Sequence, residues 1–129
     1  MGFQRKLPSF EAEVTFIPKA EGGRTAPPLL DVDYSYRPHI VLGDPNQTEA
    51  ITDGYSITEP YISVALRLIQ GDVEFNEPII VEMVLIYPLP EYETTLVKGA
   101  TFTIREGGSI VGHGSITKSI CVESIPPKD

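Results

Sequence analysis

Turn-forming residues interrupt this chain at short intervals, and their spacing constrains the fold more than any other feature. The 129 residues include twelve prolines and eleven glycines. Proline removes a backbone donor and glycine weakens regular structure, so both favour turns between short segments over long helices. The segments that remain predict six strands, at 10–17, 39–42, 61–69, 79–87, 101–106 and 109–121.

Two of these segments alternate between apolar and polar residues, which is typical of strands with one buried face. The predicted buried faces carry Phe10, Ala12, Val14 and Phe16 in the first segment, and Ile62, Val64, Leu66 and Leu68 in the third. Segment 79–87 is apolar at nearly every residue, which predicts a central strand covered on both faces. Glu82 is its exception, and we expect that carboxylate to face a loop or an interface.

The last two segments flank Gly107-Gly108 and predict a tight β-hairpin, because primed turns need φ > 0 at their central positions. A two-residue turn places Ile104 opposite Val111 and Phe102 opposite His113.

We therefore predict an all-β fold, a single six-stranded, mainly antiparallel barrel. Residues 1–129 form one domain, in which the barrel occupies about 8–122 between short flexible tails. Gly112 and Gly114 alternate within the last predicted strand. Glycines there permit the sharp coiling or close backbone approach that a small closed barrel requires.

Charge and cysteine content indicate which ligands and which cellular compartment to expect. The formal net charge of −8 argues against general nucleic-acid affinity, because nucleic-acid-binding domains are usually basic. The chain has one cysteine, Cys121, so an internal disulfide is impossible and a reducing, cytoplasmic location is expected. The N-terminus is too polar for a signal peptide, and no apolar run approaches the roughly 20 residues of a membrane helix.

Motifs for catalysis are missing from the sequence. A phosphate-binding GxxxxGK[ST] loop is absent, so nucleotide binding is not expected. His39 and His113 fit no metal-ligand spacing, which predicts neither a metal site nor a cofactor. Cys121 lies in an apolar strand, where thiols are usually inert packing residues. We therefore expect a protein that is not an enzyme.

Two segments resemble the C-terminal barrel domain of elongation factor Tu. Residues 101–114 read TFTIREGGSIVGHG, close to the pattern F-x-I-R-E-G-G-x-T-V-G-x-G of that family's last hairpin. Residues 10–24 read FEAEVTFIPKAEGGR and resemble its first strand and loop, including E-G-G-R. Weaker similarities follow the family's order between them, at 36–38, 71–74 and 85–88. The resemblance covers most of the chain and implies a six-stranded barrel without the family's GTP-binding domain and second barrel.

In that family the barrel contacts the T-stem of aminoacyl-tRNA, packs on the GTP-binding domain and touches the exchange factor. By residue matching, Arg24 would donate to a phosphate and Glu106 would accept from a ribose 2′-hydroxyl. The Gly107 amide would closely approach the sugar–phosphate backbone. Arg37 and His39, in and beside the matched Y-R-P motif, complete the RNA-binding residues that the resemblance implies.

A purely structural interpretation of the same residues stays open. Glu106 and the two glycines after it make a good hairpin turn whatever the chain binds, and Arg24 and Arg105 can pair with surface carboxylates. Stretches 43–60 and 91–99 do not align with the family pattern. Four positions also depart from it, namely Thr25, His39, Gly43 and Tyr87.

Together these features predict a non-catalytic binding module. Because the barrel is retained while RNA-facing positions change, we expect a protein partner, translation-related or similar. The alternative is an RNA-binding module that holds a tRNA T-stem. Neither a membrane nor a nucleotide is an expected ligand.

Overall fold

The structure is a computed structural model that describes residues 7–53 and 56–121. Within them a 3-10 turn spans Lys19–Glu21 and a short helix, α1, spans Tyr92–Thr95. The predicted tails lie almost entirely outside the described residues. The strands are β1 (Ser9–Phe16), β2 (His39–Leu42), β3 (Thr52–Asp53), β4 (Ser56–Ile57), β5 (Ile62–Gln70), β6 (Ile79–Leu85), β7 (Thr101–Glu106) and β8 (Ser109–Cys121).

Six of these strands close into a barrel in the order β1-β6-β5-β2-β7-β8. Every neighbouring pair is antiparallel. The predicted all-β fold with a six-stranded antiparallel barrel is therefore confirmed. β3 and β4 form a separate two-stranded sheet. β6 ends at Leu85, two residues before its predicted end and ahead of Pro88, which cannot donate to a sheet.

Alternation places the core inside the barrel. The predicted inward faces of β1 and β5 are buried, except that Leu68 is only partly buried. On β6 the inward residues are Ile79, Val81, Met83 and Leu85, and all four are buried. Leu30 and Leu96 reach the same core from the connecting segments, so the loops as well as the strands fill the barrel.

The β7–β8 hairpin forms around Gly107, whose φ of 59° is left-handed. The register of the predicted two-residue turn holds for Glu106 opposite Ser109 and Arg105 opposite Ile110, but a bulge beyond them shifts the pairing, so both predicted pairs are wrong by one residue. Ile104 lies opposite Gly112, and Phe102 lies opposite Gly114. The shift places the Ile104 and Phe102 side chains over glycines. A Cβ on Gly114 would lie only 2.9 Å from Cζ of Phe102. Close packing inside a narrow barrel thus selects the register.

Residues 43–60 connect β2 to β5, and we call them the strap. Near its start, the Gly43 amide donates to the Thr101 carbonyl at 2.9 Å, and the Thr101 hydroxyl donates to the Gly43 carbonyl at 2.7 Å. Near its end, Glu59 forms an ion pair with Arg105 of β7. The strap is therefore fixed to the barrel at both ends.

Candidate functional site

A hydrogen-bonded cluster joins two of the predicted site residues beside the β7–β8 turn. Glu106 accepts hydrogen bonds on Oε2 from Nη1 of Arg24 and from the Tyr36 hydroxyl, the latter at 2.5 Å. The Arg24 guanidinium also lies 5.3 Å from the centre of the Tyr36 ring, within range of a cation–π interaction. Its Nε donates to the Ala26 carbonyl at 2.8 Å. Arg24 and Glu106 thus satisfy each other in this structure.

Two glycines bring Arg24 back to the barrel. After the 3-10 turn, Gly22 adopts φ 96°, a conformation that L side chains rarely take. At Gly23 a Cβ would lie 2.0 Å from the Ile17 carbonyl oxygen, so the chain passes where no side chain fits. The Arg24 amide then donates to that same carbonyl at 3.1 Å. The two glycines of the E-G-G-R motif are therefore required for the turn itself.

Tyr36 supports the cluster from inside the barrel mouth. Its ring packs edge-to-face on Phe16, with the ring centres 5.8 Å apart. Burial, followed by the hydrogen bond to Glu106, raises the pKa of the Tyr36 phenol. The phenol therefore stays protonated and remains a donor. Sequence reasoning placed this residue in the Y-R-P motif but did not identify it as a partner of Glu106.

The other predicted residues lie around this cluster. Gly107 is exposed, and its carbonyl accepts a hydrogen bond from the Tyr61 hydroxyl at 2.8 Å. The His39 ring packs beside the Tyr61 ring, with ring centres 5.4 Å apart. Arg37 is exposed, and its Nε donates to the Tyr34 carbonyl at 2.9 Å. The contacts of all five residues with RNA stay predictions.

Arg105 forms an ion pair that sequence reasoning missed. Arg105 does pair with a carboxylate, as the structural interpretation allowed, but its side chain is 0% exposed and that of Glu59 is 8% exposed, so the pair is buried rather than at the surface. The pair is bidentate, with Nη1–Oε1 at 2.8 Å and Nη2–Oε2 at 3.0 Å. Arg105 also donates to the hydroxyls of Thr103 at 2.8 Å and Tyr61 at 3.3 Å. Outward-facing polar residues on β7 are thus covered by the strap rather than by water.

Glu59 joins the strap to itself as well as to the barrel. It accepts hydrogen bonds from the Ile51 amide at 2.7 Å and from the Gln47 side chain at 2.9 Å. The hydrogen bonds from Arg105 outweigh burial and, with those from the strap, lower the pKa of Glu59 to about 2.

This pKa predicts a specific acid sensitivity. Its folded value lies below the ordinary 4.5, so the Glu59 carboxylate stabilises the fold above about pH 4.5, and that stability is lost as the pH falls towards 2. We expect the free energy of unfolding to fall across this window, and to fall less steeply in Glu59→Gln. Urea unfolding of both proteins at pH 7, 4.5 and 3 measures the difference. Equal pH slopes would contradict this assignment.

A row of charged side chains crosses the outer faces of four strands. Cross-strand pairing places Arg67, Glu82, Glu11 and Lys118 side by side on β5, β6, β1 and β8. Arg67 pairs with Glu82 at 3.0 Å, and Lys118 pairs with Glu11 at 3.6 Å. The Tyr34 hydroxyl donates to Glu82 at 2.5 Å, so Glu82 faces a loop residue, as expected. The row is internally neutral, and a shallow depression of about 240 Å³ lies beside it.

Three large apolar side chains are exposed on segments that reach this row, since Ile69 lines the depression and Tyr34, in the turn that carries Val32, contacts Glu82. Leu29 is 70% exposed, Val32 is 74% exposed and Ile69 is 43% exposed, and we call them the apolar surface. They lie on adjacent segments, because the Leu68 amide donates to the Leu30 carbonyl at 3.2 Å. Leu30 is buried in the core, so it anchors the segment that exposes Leu29 and Val32.

Asp31 holds the turn that carries Val32. Its carboxylate accepts hydrogen bonds from the Ser35 amide at 2.9 Å and the Ser35 hydroxyl at 2.7 Å. These bonds lower the pKa of Asp31. The Tyr34 amide also donates to the Asp31 carbonyl at 3.2 Å. Val32 is therefore presented on a hydrogen-bonded turn.

The apolar surface lies at an acidic end of the barrel. Three contacts bring segments 17–37, 71–78 and 106–109 together at this end. Phe16 pairs with Phe75, the Asn76 side chain donates to Glu21 at 3.0 Å, and Arg24 pairs with Glu106. We call this the Phe16 end. Its described segments carry three cations, Lys19, Arg24 and Arg37, and seven carboxylates, Glu21, Asp31, Asp33, Asp72, Glu74, Glu77 and Glu106.

Neither a metal-binding cluster nor a helix that could span a membrane is found within residues 7–53 and 56–121. Among these residues no three His, Cys, Asp or Glu side chains come together in a way that could hold a metal ion. None of the helices described is long and apolar enough to cross a membrane. No family model matches the chain.

Proposed function

We propose that this barrel is a non-catalytic module that binds another protein. The observation that carries the proposal is the apolar surface. Leu29 and Val32 expose most of their surface to water, although the chain buries comparable side chains throughout the barrel. Exposed apolar patches mark interaction sites more often than single scattered residues do. The resemblance to elongation factor Tu supports translation-related proteins as the first partners to examine.

The arrangement of the turn supports the same function. Asp31 and Ser35 fix the turn before any partner arrives. Binding to a fixed turn loses less conformational entropy than binding to a mobile loop. The apolar surface thus has the exposure and the order that a protein interface needs.

Photo-crosslinking tests this proposal directly. A benzoylphenylalanine at position 32 is compared in native lysate with one at position 87, which serves as the control. Tyr87 is 71% exposed but follows Leu85, at the end of β6 that lies away from the Phe16 end. We expect a discrete protein adduct from position 32 that survives ribonuclease and is lost in Leu29→Ser. The absence of an adduct above background at both positions would refute the proposed function.

RNA binding is a second candidate, favoured by the cluster around Glu106. Arg24, Glu106 and Gly107, the positions matched to RNA contacts by the resemblance to elongation factor Tu, lie close together, with the Arg24–Glu106 pair partly buried and Gly107 exposed. Against it, Glu106 already occupies the Arg24 guanidinium, and carboxylates outnumber cations at the Phe16 end. A phosphate must therefore displace a carboxylate in a field that repels it.

Salt-dependent filter binding to a tRNA distinguishes this candidate. If it is correct, affinity falls steeply between about 50 and 200 mM salt, and Arg24→Gln lowers both the affinity and the slope by about one phosphate contact. Lys118→Gln, which also removes one positive charge but lies on the outer face of β8 away from Arg24, is the matched control and has a smaller effect on the affinity. Absence of binding at low salt rejects RNA as the ligand.

A further inference from the structure

We propose that the apolar surface binds a basic amphipathic segment of the partner protein, one that alternates lysine or arginine with large apolar side chains. This inference rests on the proposed function and adds the chemistry of the partner. The apolar side chains supply the contact, and the charges around them select the segment that fits.

The contact area comes from Leu29, Val32 and Ile69. Each is a large aliphatic side chain, and burying one on association removes apolar area from water. The three are presented from two neighbouring segments, one fixed by Leu30 in the core and the other by the β5 strand. Such a surface suits apolar side chains from one face of a short segment rather than a single isolated residue.

The segments that carry this surface, and the barrel end at which they lie, hold more carboxylates than cations. Asp31 and Asp33 flank Val32 in the sequence, and Asp72 follows the end of β5 shortly after Ile69. The segments of the Phe16 end hold seven carboxylates and three cations, a net charge of −4 within a chain whose total is −8. Complementary charge steers a partner to its site and excludes partners of the same sign.

This charge decides between the possible occupants. RNA, an anionic membrane and a second copy of this chain all bring negative charge towards the same region, so each is repelled at low ionic strength. A cationic segment is attracted. Its apolar residues then cover the three aliphatic side chains, while its lysine or arginine heads reach the surrounding carboxylates with their stems along the apolar surface.

A titration monitored by nuclear magnetic resonance tests the inference on the full chain. The probe is a 12-residue peptide of alternating leucine and lysine, and the matched control replaces each lysine with glutamate. We expect shifts confined to 27–33 and 69–74, and affinity that falls as salt rises. Val32→Ser is expected to weaken binding about tenfold. Tyr87→Ser, an exposed substitution at the far end, leaves the affinity unchanged.

Three results would overturn the inference: no binding of the lysine peptide at low salt, shifts centred away from the apolar surface, or equal binding of the glutamate peptide. The wild-type shift map is informative by itself if a variant fails to fold. Crosslinking from position 32 separates this inference from the proposed function. An adduct there without lysine-peptide binding leaves a protein-binding module and rejects the basic segment, whereas no adduct at either crosslinking position rejects both.

Discussion

Replacing Glu59 with glutamine is expected to lower the free energy of unfolding by about 3 kcal/mol, because it leaves the Arg105 guanidinium buried without its counter-charge. Arg105 has no exposed side-chain surface, and both of its terminal nitrogens donate to Glu59. The same substitution weakens the attachment of the strap to β7. Urea unfolding at pH 7 measures the loss.

Glu106→Gln provides the matched control for this prediction. It also removes a carboxylate from an arginine, but the Arg24 and Glu106 side chains are 27% and 35% exposed. Water compensates such a pair, so we expect a loss of at most about 1 kcal/mol. Equal losses in the free energy of unfolding would show that burial does not make the Arg105–Glu59 pair more stabilising than the Arg24–Glu106 pair.

Gly114→Ala is expected to cost about 3 kcal/mol, because the barrel has no room for a methyl group at this position. A Cβ there would lie 2.4 Å from the Glu13 carbonyl oxygen and 2.9 Å from both Phe102 Cζ and Val14 Cγ1. Two of these atoms belong to β1, so relief requires the β1–β8 pairing to open. Thermal and urea unfolding of the variant measure the cost.

Gly107→Ala separates crowding from backbone strain. A Cβ on Gly107 meets no heavy atom within 4 Å, but its φ of 59° disfavours an L residue. We therefore expect about 1 kcal/mol from the backbone alone. A cost at Gly114 no greater than at Gly107 would show that β8 can shift, and that close packing does not fix the hairpin register.

Much of the barrel could be predicted because its strands carry local signals. Alternation in 10–17 identified the inward face of β1, and the Gly107-Gly108 pair identified the last hairpin. Turn length gives the pairing beside the turn, Glu106 opposite Ser109, but not the pairing beyond the bulge, where Phe102 fits over Gly114. That fit depends on packing across the barrel, which no local pattern encodes.

The site was predictable only where residues belong to one motif. The E-G-G-R and R-E-G-G motifs drew attention to Arg24 and to Glu106 separately, but neither motif shows that the two side chains pair. Glu59 lies 46 positions from Arg105, in a strap with no recognisable pattern, so their ion pair could not be found from spacing. The apolar surface was missed because Leu29 and Val32 are ordinary loop residues until burial is measured.

Methyl spectra of the labelled chain in concentrated native lysate test the central claim most directly, because one sample reports on both candidate ligands. If the barrel binds a protein through the apolar surface, the signals of Leu29, Val32 and Ile69 broaden selectively and ribonuclease treatment leaves that broadening unchanged. Broadening confined to residues around Arg24 and Gly107, and abolished by ribonuclease, would contradict protein binding at this surface and assign the barrel to RNA.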